Sequence, residues 1–117
     1  MITNADQIKL KQLKTLIDDY SYSEKRYAGI VNKMDKLLIW ACEHFIAKGE
    51  SLKKVKDILG ETYVIIGYDE DKEIEWLYPC LERSGMQPQV STQWYLTFVF
   101  RKGKLQFFEK KKQLIIN

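Results

Sequence analysis

The stretch QWYLTFVFRKGKLQFFE, residues 93–109, decides the fold. Trp94, Leu96, Phe98 and Phe100 alternate with Tyr95, Thr97 and Val99. That is the period of two in which successive side chains leave a strand on opposite faces. Lys102-Gly103 supplies a two-residue turn, with glycine where a positive φ is needed. Leu105 and Phe107 then alternate with Gln106 and Phe108 in the returning strand. With Arg101 opposite Lys104, Phe100 faces Leu105 and Phe98 faces Phe107. This register gathers the large side chains on one face, which the rest of the chain is expected to cover.

A second hairpin precedes it. Thr62-Tyr63-Val64-Ile65-Ile66 is β-branched and apolar, Gly67 to Asp71 is turn chemistry, and Lys72 to Tyr78 alternates. Closing it places Val64 near Trp76 and Ile66 near Ile74, and Pro79 is expected to end the strand. Residues 80–92, CLERSGMQPQVST, read as a long irregular loop, functional or mobile. After the opening hairpin, Lys110 to Lys112 begins a tail whose Leu114, Ile115 and Ile116 dock on the core or pair at an edge.

The first half of the chain is helical. Thr3 or Asn4 can cap a helix with Asp6 in its first turn, ending near Asp19 or Tyr20. Its stripe is Ile8, Leu13, Leu16, Ile17 and Tyr20. A second helix, capped by Ser23, spans about Glu24 to Lys48, with Tyr27, Ile30, Val31, Met34, Leu38, Ala41, Cys42 and Phe45 recurring at three- and four-residue spacing. Its surface is apolar most of the way round near residues 37–40, so the sheet is expected on one side and the first helix or a partner chain on another. Gly49 stops it. Ser51 caps a third, short helix with Leu52, Val55, Ile58 and Leu59 buried and Gly60 as its stop.

The expected fold is α+β: two or three N-terminal helices on one face of a four-stranded antiparallel meander. At 117 residues it forms a single domain, with a helical part over 1–49 and a short helix plus sheet over 50–117. A net charge of +3 demands neither nucleic acid nor an anionic membrane as partner. The first fourteen residues lack the apolar core of a signal peptide and no apolar run reaches bilayer length, so a cytoplasmic location is expected.

Reactive groups are few. His44 is the only histidine, without spacing to further ligands or a nucleophile. Cys42 and Cys80 belong to no metal-binding or redox motif and read as buried reduced thiols. No phosphate loop, cofactor motif or acid–base pair is evident, so neither a cofactor nor catalysis is expected. The acidic run Asp69-Glu70-Asp71, with Glu73 and Glu75, is either a solvated turn or an electrostatic docking patch.

The second sheet face is expected to carry Tyr63, Ile65, Glu73, Glu75, Leu77, Tyr95, Thr97, Val99, Gln106 and Phe108. Aromatic groups interleaved with carboxylates resemble a binding surface more than a solvated one. The alternative is that the first helix or the tail covers it. The candidate partner-binding residues are Tyr63, Glu73, Glu75, Tyr95 and Phe108, with Asp69, Glu70 and Asp71 at the rim.

From Ser51 on, a helix ending in Leu59-Gly60 leads to a hairpin with Trp76 and Tyr78. A loop follows, then Leu96-Thr97-Phe98-Val99-Phe100 and a Lys102-Gly103-Lys104-Leu105 turn. Over residues 51–109 this layout resembles the SmpA/OmlA domain, the fold shared by an outer-membrane assembly lipoprotein and β-lactamase inhibitor protein. The chain differs from the envelope lipoproteins in its long helical N-terminal part. The resemblance implies protein binding without catalysis, often through the sheet face. The expected function is a non-catalytic protein-binding module, foremost an immunity protein that neutralises a bacterial toxin domain. The alternative is a nucleic-acid or small-ligand binder using the sheet face and the basic segment Arg101, Lys102, Lys104 and Lys110 to Lys112. A homodimer through the second helix is compatible with either.

Overall fold

The computed structural model describes residues 2–22, 28–60, 64–66, 73–83 and 92–114. Helix α1 spans Asn4–Tyr22, α2 Ala28–Phe45 and α3 Leu52–Leu59. Strands β2 (Glu73–Cys80), β3 (Thr92–Arg101) and β4 (Lys104–Leu114) form an antiparallel meander. A three-residue strand, β1 (Val64–Ile66), pairs with the other side of β2. The class is α+β. The expected first strand, drawn at five residues, is reduced to this short segment among the described residues.

Helix α1 starts where its polar groups are satisfied. The Thr3 hydroxyl accepts from the Asp6 amide and the Asp6 carboxylate accepts from the Thr3 amide, both at 3.1 Å. This is a reciprocal capping box, with Asp in place of the usual Glu. The helix runs through Ser21-Tyr22, past the expected end. Its buried residues are Leu10, Leu13 and Ile17, whereas Ile8, expected in the stripe, is 61% exposed. Ser51 caps α3 by accepting from the Lys54 amide, and Gly60, at φ 80°, stops it. The expected Ser23 cap lies outside the described residues.

The core joins all three helices to one face of the sheet. Val31, Met34, Leu38, Ala41 and Cys42 of α2 meet Trp76, Tyr78, Leu96, Phe98 and Phe100, with Val55 and Leu59 of α3 alongside. Tyr78 and Phe98 meet edge to face at 5.5 Å, as do Trp76 and Phe100 at 5.4 Å. The buried Tyr78 hydroxyl donates to the Gly60 carbonyl at 3.2 Å, tying β2 to the end of α3. The first helix covers the second: Lys9 Nζ lies 4.7 Å from the centre of the Trp40 ring.

The strands depart from expectation at three places. Val64 pairs with Leu77, Ile65 with Trp76 and Ile66 with Glu75, one residue away from the expected register. Three consecutive apolar residues satisfy either parity, so their pattern cannot choose. Second, Pro79 does not end β2; it pairs with Tyr95 inside the strand. Among the described residues it lies past the last β2 residue paired with β1, where the missing N–H removes no ladder bond to that strand.

The third departure is the largest. The turn closes as expected, with Lys102 (φ 54°) and Gly103 (φ 74°) both in the left-handed region of a hairpin turn. Phe100 pairs with Leu105, but Val99 then pairs with Phe107 and Phe98 with Phe108. Gln106 is therefore an extra residue, a β-bulge, and every later residue of β4 changes face. Phe107 turns away from the core and Phe108 towards the helix side, the reverse of the expectation. The Lys110 to Lys112 run belongs to the strand, and Lys110 pairs with Leu96 on the helix side.

A buried carboxylate explains this choice. Asp35 of α2 is fully buried and accepts from Lys110 Nζ at 2.8 Å and from the Leu81 amide at 3.2 Å. Without the bulge Glu109 would face Leu96, bringing a second carboxylate towards Asp35 in a poorly solvated place. The bulge brings a cation there instead. The beginning of β4 is also held from outside. The Gly49 amide donates to the Leu105 carbonyl, the Leu105 amide to the Glu50 carbonyl, and the Leu52 amide to the Gly103 carbonyl.

Candidate functional site

The sheet face turned away from the helices is set by this register. Along one row lie Ile66, Glu75, Val99 and Phe107, and along the next Leu77, Thr97 and Glu109. Glu73 and Arg101 form a further row, and Pro79, Tyr95 and Lys111 another. The centre is closed: Leu77 is 2% exposed, and Thr97 and Val99 are each 1%. The face is therefore not open across its whole width; the sequence left both an open and a covered face possible. Its accessible groups form a frame around a buried middle.

Long charged side chains make part of that cover. Lys111 Nζ lies 3.2 Å from Glu75 Oε1 and 3.5 Å from Glu109 Oε1. To reach Glu75 from β4, the lysine must cross β3 over Thr97. The hydrogen bond to Glu75 raises the Lys111 pKa, so the ammonium stays charged throughout the neutral range. Arg101 Nη2 meets Glu73 Oε2 at 3.3 Å. The two candidate carboxylates are thus engaged within the sheet. Exposed ion pairs of this kind contribute little stability, about 0–1 kcal/mol each. They do fix where the charges point.

Apolar groups stand at both ends of one row: Phe107 is 49% exposed and Ile66 is 43% exposed. Tyr95 is half-buried on the same face. Of the candidate residues, the structure brings Glu73, Glu75 and Tyr95 together. Phe108 belongs to the helix side, its ring 5.4 Å from that of Phe98. Tyr63, Asp69, Glu70 and Asp71 lie outside the described residues. Sequence reasoning missed Phe107, Ile66, Arg101 and Lys111 as members of this face. Phe107 and Lys111 follow from the bulge, Ile66 from the β1 register. Arg101, by contrast, continues the alternation of Tyr95, Thr97 and Val99 and could have been found.

The remaining reactive groups have local roles. His44 is exposed, with Nδ1 2.8 Å from the Trp40 carbonyl, one turn back along α2. Cys42 and Cys80 are free and buried, and burial pushes both thiols up to about 12. Among the described residues no group of three or more His, Cys, Asp or Glu side chains is placed to hold a metal ion. No helix among them is long and apolar enough to cross a membrane. The basic run at the end of β4 is divided: Lys110 turns to Asp35 and Lys111 to Glu75. Alternation thus breaks it into two halves on opposite faces, a poor track for a phosphate backbone. Comparison of the chain with family models, with characterised proteins and with solved structures finds no match.

Proposed function

We propose that this protein is a non-catalytic protein-binding module that docks through the sheet face turned away from its helices. One observation carries the reading: exposed Phe107 and Ile66 stand at the two ends of a row whose middle, Glu75 and Val99, is oriented or buried. Large apolar anchors beside fixed charges are what interfaces use, because the anchors carry affinity and the charges select the partner. The Glu73–Arg101 and Glu75–Lys111 pairs present charge of both signs in set positions, so part of the ordering cost of binding is already met. The resemblance over residues 51–109 supports the same habit of binding. The use we assign to it is neutralisation of a toxin domain, by an immunity protein kept in the cytoplasm.

The test is the affinity of the purified chain for the product of the adjoining reading frame, since immunity proteins are encoded beside their targets. Saturable binding is expected, weakened about tenfold or more by Phe107→Ser combined with Tyr95→Ala. No association, or an affinity that ignores the double substitution, would refute the reading.

A further inference from the structure

A second surface lies on the other side of the molecule. Helices α1 and α2 leave a groove of about 920 Å³ along their outer seam. Its apolar lining is half-buried Leu16 and Leu37 with exposed Ile8, and Lys11, Lys33 and Lys36 line it as well. On α1 the groove residues fall roughly opposite the buried stripe of Leu10, Leu13 and Ile17 at a turn of 3.6 residues. They also fall well away from the buried stripe of α2. The groove therefore faces outward, and it shares no residue with the sheet face.

Its chemistry is one-sided. Among the described residues three lysines and no carboxylate line it, together with Gln12 and Thr15. The exposure of Ile8 is not what an idle helix surface needs, since Leu10, Leu13 and Ile17 already meet the demand of the core. Ile8, Lys11, Gln12 and Thr15 follow a three- and four-residue spacing, so the α1 wall is one ridge of a helix, with α2 supplying the other. A seam between two helices accepts a third helix laid along it with its own apolar stripe inward. A second copy of this groove would bring lysine against lysine, which opposes self-association.

We propose that the α1–α2 groove binds an acidic amphipathic helix of a partner protein, whose apolar stripe seats on Ile8, Leu16 and Leu37 while its flanking carboxylates meet Lys11, Lys33 and Lys36. This stands apart from docking at the sheet face and does not depend on it. The probe is a fluorescein-labelled synthetic helix with leucines at three- and four-residue spacing and glutamates on both flanks. It is titrated with the full chain and read by fluorescence anisotropy. The expected result is saturable binding that weakens as salt is raised and falls about tenfold or more in the double variant K33E/K36E. Ile8→Glu, at an exposed position the fold tolerates, abolishes it. A matched peptide with lysines in place of glutamates does not bind. Absence of saturable binding by the glutamate peptide would overturn the proposal. Equal binding of the two peptides, or indifference to both variants, would do the same. So would co-sedimentation with phosphatidylglycerol vesicles that K33E/K36E removes while the peptide stays unbound, which would assign the groove to an anionic lipid surface. Both variants leave Phe107 and Tyr95 untouched, so a failure here is separable from a failure at the sheet face.

Discussion

Asp35 shows how one residue governs what surrounds it. A carboxylate without exposure must be paired, and Asp35 accepts from Lys110 within β4 and from the Leu81 amide just past the end of β2. Removing one partner leaves an uncompensated charge, which costs more than the intact pair contributes. Asp35→Ala should therefore lower the free energy of unfolding by about 3 kcal/mol in urea denaturation. A double-mutant cycle with Lys110→Ala should show a coupling of about 1 kcal/mol or more. Additive effects would mean that the two side chains do not meet. The cysteines make a second prediction at this scale. Their thiols ionise near 12 in the folded chain, against 9.0 in the open chain. The folded state thus disfavours the thiolate, and the stability tied to this is complete below pH 9.0 and is lost as pH rises towards 12. An aromatic disulfide reagent at pH 8 should label neither thiol in the native protein and both after unfolding. Rapid native labelling would place at least one thiol at the surface.

Among the elements, the helices were legible and the strand registers were not, for one physical reason. The stripes of α2 and α3 are set by local periodicity, and Val31, Met34, Leu38, Val55 and Leu59 are buried as their spacing requires. The face of a strand depends on parity, and parity is lost wherever neighbouring residues are all apolar. Ile65 and Ile66 are interchangeable by pattern, and so are Phe107 and Phe108. What separates the two phenylalanines is Asp35, 75 positions before Lys110. Its one trace in the sequence is a carboxylate on the stripe of Val31, Leu38 and Cys42. The candidate site was readable to the extent that it rested on β2 and β3, which keep strict alternation, and misread where it rested on β4. If Gln106 is a bulge, deleting it leaves Phe107 opposite Val99, Phe108 opposite Phe98 and Lys110 opposite Leu96. The deletion should then cost no more than about 1–2 kcal/mol by urea denaturation, with near-ultraviolet circular dichroism retained. In the unbulged register it would expel Phe107 from the core and unfold the protein.

At the scale of the whole molecule, two accessible surfaces flank one core within 35 × 35 × 24 Å. The helix layer carries a groove rimmed by lysines, and the sheet carries a frame of paired charges with Phe107 and Ile66 at opposite margins. Sites with no shared partners act additively. The variant K33E/K36E should leave sheet-face affinity within about twofold of the parent, as should Phe107→Ser for the groove, both checked by anisotropy. Mutual loss would show that the two surfaces belong to one interface. All of this rests on the face that each β4 side chain takes, and cross-strand nuclear Overhauser effects between α-protons report that register directly. Contacts that align Phe98 with Phe108 and Leu96 with Lys110 are expected; contacts that align Phe98 with Phe107 and Leu96 with Glu109 would contradict the bulged register.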